Sequence, residues 1–395
     1  MNRNNKHTEL EMVDRIKGSL MAGAAGDALG YAVEFYDIQT IFEKYGCKGI
    51  TKFELDGEKA LVSDDTQMTL FTANGLLVGN THRRRLNVGI APERYVKDAY
   101  MDWYYTQTSS RRKPIGDATT WLRSLPQMHH RRAPGNTCMM ACMGMLYDIN
   151  EKNDSKGCGG IMRVAPVALF AASLAANGKP LYTIKQLAEV AGYTSYLTHN
   201  HPLGFLPSAM MAVLIYKIMF LPTEEVKHNI EALVRETLAL LDSIYEGEYE
   251  EEKKYLKELT EKAIELTKSN LSDVEALQRI GRGWVAEETW AMAVYCVIKH
   301  IHSVEDAIIA SVNVTGDSDS IGSVVGNIMG AIYGYEHIKS RNIFCPEGCE
   351  LEQTLELSDI ILALAGDLAI GYVAENEPEG KQWHERYIQA LPSGI

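Results

Sequence analysis

Near its carboxyl end the chain reads Thr-Gly-Asp-Ser-Asp-Ser-Ile-Gly-Ser-Val-Val-Gly-Asn-Ile-Met-Gly-Ala-Ile-Tyr-Gly, residues 315–334. After Ser320, glycine recurs at every fourth position: Gly322, Gly326, Gly330 and Gly334. Residues four apart share one face of a helix, so the pattern predicts a stripe that carries no side chains. Each helical glycine costs about 1 kcal/mol relative to alanine. We therefore expect tight packing against another helix to offset that cost.

The same stretch begins with two aspartates, Asp317 and Asp319, and a second pair, Asp64 and Asp65, stands in Val-Ser-Asp-Asp-Thr-Gln-Met at residues 62–68. Hydroxyl residues flank both pairs. Mg²⁺ and Mn²⁺ prefer carboxylate, hydroxyl and water oxygens, and two cations held close together need about four carboxylates. The pairs therefore predict a dinuclear metal site. Its predicted ligands are Ser63, Asp64, Asp65, Asp317, Asp319 and Ser320.

A helix cap is the alternative interpretation of Ser63-Asp64-Asp65. The segment Met68 to Leu77 has a helical pattern, which places Ser63 at a helix N-terminus. Serine and aspartate oxygens accept hydrogen bonds from the free N–H groups there, and the helix dipole favours negative charge. Taken alone, this segment leaves both interpretations open. The second acidic pair favours metal binding.

Three segments together resemble the ADP-ribosylglycohydrolase family. They are Gly23-Ala-Ala-Gly26-Asp27-Ala-Leu-Gly30 with Glu34, Ser63-Asp64-Asp65-Thr66, and Gly316-Asp317-Ser-Asp319-Ser320. The similarity continues through residues 157–166 and 197–199, and thus covers about residues 16–334. It implies an all-α fold, a single large orthogonal helical bundle with the dinuclear site in a central cleft. It also implies two bound Mg²⁺ or Mn²⁺ ions and hydrolysis of the glycosidic bond of ADP-ribose.

The sequence departs from the common family pattern at three positions. Ser63 and Ser320 stand where threonine is frequent, which keeps the hydroxyl, and Cys158 stands where small or polar residues are usual. No carboxylate is lost. The resemblance therefore implies an active enzyme.

The resemblance also assigns contacts with ADP-ribose to two glycine-bearing loops, although by spacing alone each loop is an ordinary turn. The loop residues are Gly135, Asn136, Thr137, Gly157, Cys158, Gly159 and Gly160. Glycine lets backbone N–H groups approach a pyrophosphate. His199 is expected near the phosphates, and Arg163 is expected to orient the loop. Trp284 is a candidate for stacking on adenine, with burial in the core as an equal alternative.

Other histidines offer a competing metal site. His201 completes a His-x-His pattern with His199, and His300 forms another with His302. An oxygen-rich dinuclear site does not need them. We therefore expect His300 and His302 to be structural.

For the reaction, we expect oxocarbenium character at the ribose and attack by a metal-oriented water. Asp64, Asp65 and Asp317 are the candidates for handling the water proton. Glu34 is expected to gate the site or bind one metal. Asp27 is expected to support a helix start by hydrogen bonding.

The expected linkage is ADP-ribosyl-arginine, because the resemblance includes the dinitrogen-reductase branch, which acts on that bond. Four acids, Glu34, Asp117, Glu287 and Glu288, are expected at the rim, where they would pair with a guanidinium. The partner is then an ADP-ribosylated protein or a small ADP-ribose conjugate. Serine-linked or O-acyl ADP-ribose, two-metal phosphoester hydrolysis and non-catalytic ADP-ribose binding are the alternatives.

The composition excludes some classes of protein. A net charge of −13 speaks against general nucleic-acid binding, which needs a basic surface. The basic runs at residues 83–85, 111–113 and 129–132 are expected to be solvated loop charges rather than a phosphate-contacting rim. No apolar run of about twenty residues is recognised, so no membrane span is expected. Seven cysteines without a CxxC pair indicate free thiols and a cytoplasmic location.

The two acidic pairs share one predicted cluster, so the chain between them is expected to form one domain, residues 11–375. Residues 223–270 are predicted to be two peripheral helices joined by a charged hinge. A solvated surface is favoured there over a partner surface. Residues 376–395, with their prolines and glycines, are predicted to be a loosely held tail.

Overall fold

The computed structural model describes residues 3–87, 89, 91–108, 118–149 and 151–388, with side chains from residue 10 onward. The described residues form eighteen α-helices, three short 3₁₀ helices and isolated β-bridges but no strand. The prediction of an all-α fold is confirmed.

The α-helices are α1 (Arg3–Tyr31), α2 (Ile38–Tyr45), α3 (Asp64–Leu86), α4 (Arg94–Gln107), α5 (Asn136–Leu146), α6 (Ala165–Ala176), α7 (Ile184–Tyr196), α8 (Pro202–Ile218), α9 (Thr223–Ile244), α10 (Glu250–Leu266), α11 (Asp273–Ile280), α12 (Ala286–Lys299), α13 (Val304–Val312), α14 (Ser318–Tyr333), α15 (Tyr335–Arg341), α16 (Leu351–Thr354), α17 (Ser358–Ile370) and α18 (Gly380–Tyr387). The 3₁₀ helices span Trp121–Ser124, Pro126–Met128 and Cys158–Arg163.

The glycine stripe of α14 packs directly against the backbone of α1. A Cβ atom added at Gly326 would lie 2.1 Å from the carbonyl oxygen of Ala22, and one at Gly330 would lie 2.1 Å from that of Gly18. No side chain fits at such distances. The helix contact predicted from the glycine spacing is confirmed, with α1 as the partner of α14.

The same contact continues to the first turn of α14. A Cβ atom at Gly30, near the end of α1, would lie 2.5 Å from the backbone nitrogen of Asp319. Glu34 follows in the turn after α1. The close packing of the two helices thus places Glu34 near the start of α14.

Helix α3 is buried from Asp64 through His82. Its first turn is fixed by Asp27 of α1, whose carboxylate accepts hydrogen bonds from the backbone N–H groups of Ser63, at 3.0 and 3.1 Å, and Thr66, at 3.1 Å. Asp27 therefore supports the helix start, as expected. Three buried helices, α1, α3 and α14, form the centre of the bundle.

The helices at 223–270 are confirmed as α9 and α10, with the turn at residues 245–249 between them. The part of the predicted loose tail that the structure describes is folded instead. It contains α18, in which Trp383 and Tyr387 are buried, and the indole N–H of Trp383 donates to Thr81 Oγ1 at 3.0 Å. Two aromatic side chains four residues apart give α18 an apolar face that holds it on α3.

The structure corrects two statements about charge and hydropathy: that no apolar run of about twenty residues exists, and that the basic run at 83–85 lies in a loop. Cys158–Ala176 is a 19-residue segment with a mean hydropathy of 1.6, long and apolar enough to cross a membrane, but 89% of it is buried inside the protein. The basic run at 83–85 forms the last turn of α3 and not a loop. In the basic run at residues 129–132, Arg132 forms an ion pair with Glu356, with 2.8 Å between Nη2 and Oε1. The run at 111–113 lies outside the described residues.

The glycine contact predicts a large difference between two alanine substitutions. Gly326→Ala places a methyl group against the Ala22 carbonyl, and we expect the free energy of unfolding to fall by about 1–3 kcal/mol or more. Gly366→Ala, in α17, meets no atom within 4 Å and is expected to raise that free energy by up to about 1 kcal/mol. Chemical denaturation of both variants tests this, and equal effects would contradict the packing described.

Candidate active site

The predicted site residues lie around one cavity of about 190 Å³ at the starts of α3 and α14. The lining residues are Glu34, Asp64, Asp65, Ala133, Gly135, Asn136, Thr137, Cys138, Gly157, Cys158, Gly159, Met162, His199, Trp284, Asp317, Asp319 and Ser320. Two predicted site residues, Ser63 and Gly160, are absent from this lining. Three lining residues, Ala133, Cys138 and Met162, were not predicted.

Two helix N-termini bring the aspartates together. Asp64 and Asp65 form the first turn of α3, Asp317 is the N-cap of α14, and Asp319 lies in its first turn. The positive end of each helix dipole favours the carboxylates. Glu34 approaches from the turn after α1, and all five side chains are at most 7% exposed.

The donor atoms fit hard divalent cations. Ligand oxygens of Glu34, Asp317 and Asp319 lie within 4.8 Å of one another. In the described part of the chain, Oδ2 of Asp65 and Oε2 of Glu34 are buried and have no hydrogen-bond partner. Buried carboxylate oxygens without partners are costly unless a cation pairs with them. Carboxylate and hydroxyl oxygens are the ligands that Mg²⁺ and Mn²⁺ prefer.

The two serines differ in their contacts. Ser63 is fully buried and its Oγ accepts the backbone N–H of Asp65 at 3.2 Å, so the cap interpretation is confirmed. The Ser63 hydroxyl also hydrogen-bonds Asp319, which partly offsets the rise that burial causes in the Asp319 pKa. Ser320 lines the cavity. Metal ligation by either hydroxyl stays a prediction.

Burial and mutual repulsion raise the pKa values of the acids. Burial first, and Asp319 second, raise the pKa of Asp64 and Asp65 well above the usual range. The same causes raise the pKa of Asp27 to about 7 and that of Glu34 to about 10. Each charged form lacks water and faces other anions. A bound cation reverses this effect, because it favours the ionised carboxylates.

Cys158 places a thiol against the acidic cluster. Its Sγ donates a hydrogen bond to Asp317 Oδ2 at 2.6 Å. Burial, followed by the neighbouring Asp317 carboxylate, raises the pKa of the Cys158 thiol well above its usual range. The thiol therefore stays protonated and acts as a donor.

The glycines of the second loop make room for His199. A Cβ atom at Gly157 would lie 3.1 Å from Nε2 of His199, and one at Gly159 would lie 2.8 Å from its Cε1. Gly160 packs against Ser195 instead. A Cβ atom added at Gly160 would lie 2.7 Å from the Cβ of Ser195. Glycine at 157 and 159 thus lets the imidazole ring lie flush with the loop, which spacing alone does not reveal.

Arg163 orients His199 through Thr198. The guanidinium is fully buried and donates from Nη2 to Thr198 Oγ1 at 2.6 Å, and that hydroxyl is 2.8 Å from His199 Nδ1. The Thr198 hydroxyl thus links the guanidinium to the imidazole and fixes the position of the ring. Burial, then Arg163, lowers the pKa of His199 to about 3. His199 is therefore neutral, and Thr198 is a positioning residue without a predicted role.

Trp284 lies at the rim. Its side chain is 43% exposed and lines the cavity, so the alternative of burial in the core is wrong. Its carbonyl accepts the backbone N–H of Cys158 at 3.2 Å, and an antiparallel bridge joins Gly157 to Val285. The indole ring is thus held next to the glycine loop.

The remaining histidines have structural roles or lie outside the cavity lining. His201 caps α8, where its Nδ1 accepts the backbone N–H of Leu203 at 3.0 Å. His300 Nε2 is 3.0 Å from Asp273 Oδ2. His302 is exposed and does not line the cavity. His300 therefore has a structural contact, and a structural role for His302 stays a prediction.

The predicted acidic rim is wrong for two of its four members. Glu287 is fully buried and forms an ion pair with Lys156. Glu288 accepts the backbone N–H groups of Arg282, at 2.9 Å, and Gly283, at 3.1 Å. Both lie in the first turn of α12, where these partners hold their carboxylates, and neither lines the cavity. Asp117 lies outside the described residues, and Glu34 alone of the four is in the described lining.

The sequence matches the ADP-ribosylglycohydrolase family over residues 8–376, and the chain belongs to that family. It is therefore an enzyme of the class that hydrolyses glycosidic bonds of ADP-ribose, a metal-dependent class, and its acidic cluster is able to bind a metal. A solved structure described as "ADP-ribosylglycohydrolase-related protein complex" has the same fold. Its TM-score is 0.54 at 19% identity, over 92% of this chain and 99% of the other.

Three curated relatives show the range within the family. ADP-ribosylhydrolase ARH3 of Mus musculus is 23% identical over 82% of this chain and 85% of its own length. ADP-ribosyl-[dinitrogen reductase] glycohydrolase of Rhodospirillum rubrum is 22% identical over 89% and 97%. ADP-ribosylarginine hydrolase Tri1 of Serratia proteamaculans is 23% identical over 84% and 74%. Together they indicate ADP-ribosylhydrolase activity without deciding between linkages.

The buried acids predict how pH affects protein that has been stripped of divalent cations with EDTA. Asp27 and Glu34 have folded pKa values of about 7 and about 10, above the value of about 4 in the unfolded chain. The folded state therefore binds more protons in this range, and stability is expected to fall as the pH rises from about 5 to 9.

Melting temperatures across that pH range check this expectation. Added Mg²⁺ should reduce the fall, because the cation replaces the protons. Glu34→Gln should also reduce it, whereas Glu236→Gln, at a 65% exposed side chain on α9, should not. The same pH dependence in wild type and Glu34→Gln would show that Glu34 does not contribute.

Proposed function

We propose that this chain releases ADP-ribose from ADP-ribosylated arginine side chains, with two Mg²⁺ or Mn²⁺ ions as cofactors. One observation carries the proposal. A single cavity collects five buried carboxylates from three distant segments and sets them beside two glycine-bearing loops and a neutral histidine. The acids are suited to cations and water, and the loops are suited to a pyrophosphate.

The proposed chemistry follows from where the charges lie. Bound at the cluster, two divalent cations would lower the pKa of a water molecule and hold the ribose hydroxyl groups. As the leaving group departs, positive charge develops on the ribose, and the surrounding carboxylates stabilise it. Asp64, Asp65 or Asp317 accepts the proton of the attacking water. The Cys158 thiol, which donates to Asp317, orients that carboxylate.

The remaining lining residues are suited to hold the ADP part. Gly135, Gly157 and Gly159 place no Cβ between the loop backbone and a pyrophosphate, and His199 adds an uncharged imidazole. The exposed ring of Trp284 offers a face for adenine. Together these groups are suited to contact the adenine and the pyrophosphate. The described cavity lining supplies no lysine or arginine for this purpose.

The arginine linkage rests on two arguments. A guanidinium leaves with less acid assistance than a serine alkoxide, which suits a site whose carboxylates bind metal. Glu34 remains as a lining acid able to pair with the guanidinium. Among the relatives, Tri1 is named an ADP-ribosylarginine hydrolase. Serine-linked and O-acyl ADP-ribose are the competing substrates.

We also propose that the enzyme works in the cytoplasm on ADP-ribosylated proteins. All seven cysteines are free thiols, which a reducing compartment maintains. The relatives act on ADP-ribosylated substrates, which supports a protein or small conjugate as the partner.

Metal removal tests the mechanism. EDTA is expected to abolish release of ADP-ribose, and Mg²⁺ or Mn²⁺ to restore it. Asp317→Asn is expected to lower kcat/KM at least about a hundredfold, because it weakens charge stabilisation at the cluster. Glu236→Gln, an exposed control, should leave it unchanged. Full activity in a sample shown by elemental analysis to contain no metal would overturn the mechanism.

A substrate panel tests the linkage. Matched peptides carrying arginine-linked or serine-linked ADP-ribose, together with O-acetyl-ADP-ribose, are compared by kcat/KM for ADP-ribose release. The arginine-linked peptide is expected to give the highest value. An equal or higher value for the serine-linked peptide would contradict the arginine assignment. Release of phosphate, or binding without turnover, would instead support the two other classes of function considered above.

A further inference from the structure

A second cavity, of about 700 Å³, lies at the opposite end of α3. We call it the distal groove; its lining residues are Met12, Val13, Asn80, Arg83, Arg84, Leu174, Ala176, Asn177, Lys179, Gly366, Ala369, Ile370 and Tyr372. An α-helix rises about 1.5 Å per residue, so Asp64 and Arg84 lie about 30 Å apart along α3. The distal groove and the candidate active site share a helix but no lining residue.

The charge of the distal groove is opposite to that of the chain. Among the described residues, its lining has three cationic side chains, Arg83, Arg84 and Lys179, and no acidic one, whereas the chain has a net charge of −13. None of the three forms an ion pair with a carboxylate in the part of the chain that the structure describes. Cationic side chains that converge on a concave surface attract anions.

A helix-dipole role explains only part of this arrangement. Arg83 and Arg84 stand in the last turn of α3, where cations complement the negative end of the dipole. Arg85 stands in the same turn but does not line the groove. Lys179 belongs to the turn after α6, so the cations converge from two separate elements.

The groove also has an aromatic wall and a free acceptor. The guanidinium of Arg84 lies 5.6 Å from the centre of the Tyr372 ring, and Ile370 is 46% exposed beside it. Asn80 is 1% exposed and donates from Nδ2 to the Gly371 carbonyl at 2.9 Å. Its Oδ1 has no hydrogen-bond partner among the described residues. A buried acceptor of this kind is stabilised by an incoming N–H or O–H group.

We propose that the distal groove binds a nucleoside phosphate. The phosphate lies on Arg83, Arg84 and Lys179, and the base packs against Tyr372. An amino or hydroxyl group of the nucleoside donates to Asn80. The cavity volume falls within the range of about 300–1,000 Å³ that small-molecule sites occupy. This site is separate from the proposed hydrolysis and does not depend on it.

Calorimetric titration with ADP tests the proposal; because the candidate active site is also suited to ADP, two sites are fitted, and the Kd below is that of the distal groove. Arg84→Gln and Lys179→Gln are each expected to raise the Kd about tenfold or more, because each removes a charge-assisted hydrogen bond to phosphate. Arg85→Gln is the matched control and should leave the Kd unchanged. His199→Ala alters the other cavity and should also leave this Kd unchanged. Adenosine and inorganic phosphate are each expected to bind more weakly than ADP.

Other outcomes would overturn the proposal. A single ADP site that is lost in His199→Ala and unaffected in Arg84→Gln would place the nucleotide in the candidate active site alone. Inorganic phosphate binding as tightly as ADP would show an anion site that does not recognise the nucleoside. Equal weakening by Arg84→Gln and Arg85→Gln would show a diffuse effect of surface charge. The melting temperature and kcat/KM of the groove variants, both expected to be unchanged, confirm that the fold is intact.

Discussion

The backbone-to-backbone contact between α1 and α14 is the constraint on which the candidate site depends. Each helix presents glycine where the other presents carbonyl groups, so no side chain separates them at Gly326 or Gly330. Because α1 also holds the start of α3 through Asp27, one contact sets the relative positions of all three segments that carry carboxylates. The relative positions of the carboxylates are therefore determined more by main-chain packing than by side-chain conformation.

This arrangement places mutually repelling carboxylates at the position where the hydrolytic reaction is expected. Five buried acids with raised pKa values oppose folding in the absence of counter-charges, and the close helix packing and the bonds to Asp27 stabilise the arrangement. The rest of the cavity is comparatively neutral, since His199 is held uncharged by burial and Arg163 is enclosed away from the lining. Cation binding and recognition of the ADP part are thus assigned to different walls of one cavity.

Much of this was accessible from the sequence, because its signals are local. Glycine at every fourth residue predicted the packing of α14, and paired aspartates predicted the acidic cluster. The errors concern partners that are remote in sequence. Glu287 was expected at the rim, but Lys156, 131 residues away, pairs with it in the interior. The α18 helix was missed because prolines and glycines around it outweighed two aromatic residues whose packing surface lies on α3.

The burial of α3 from Asp64 to His82 has a consequence for how this protein can vary. A helix that is enclosed from Asp64 to His82 has no face towards water, so its sequence lacks the amphipathic pattern by which surface helices tolerate exchange. Adding a charged side chain anywhere along it requires burying that charge. Substitutions in this segment are accordingly limited to uncharged residues of similar volume. Diversification of the enzyme is left to the loops and to the peripheral helices α9 and α10.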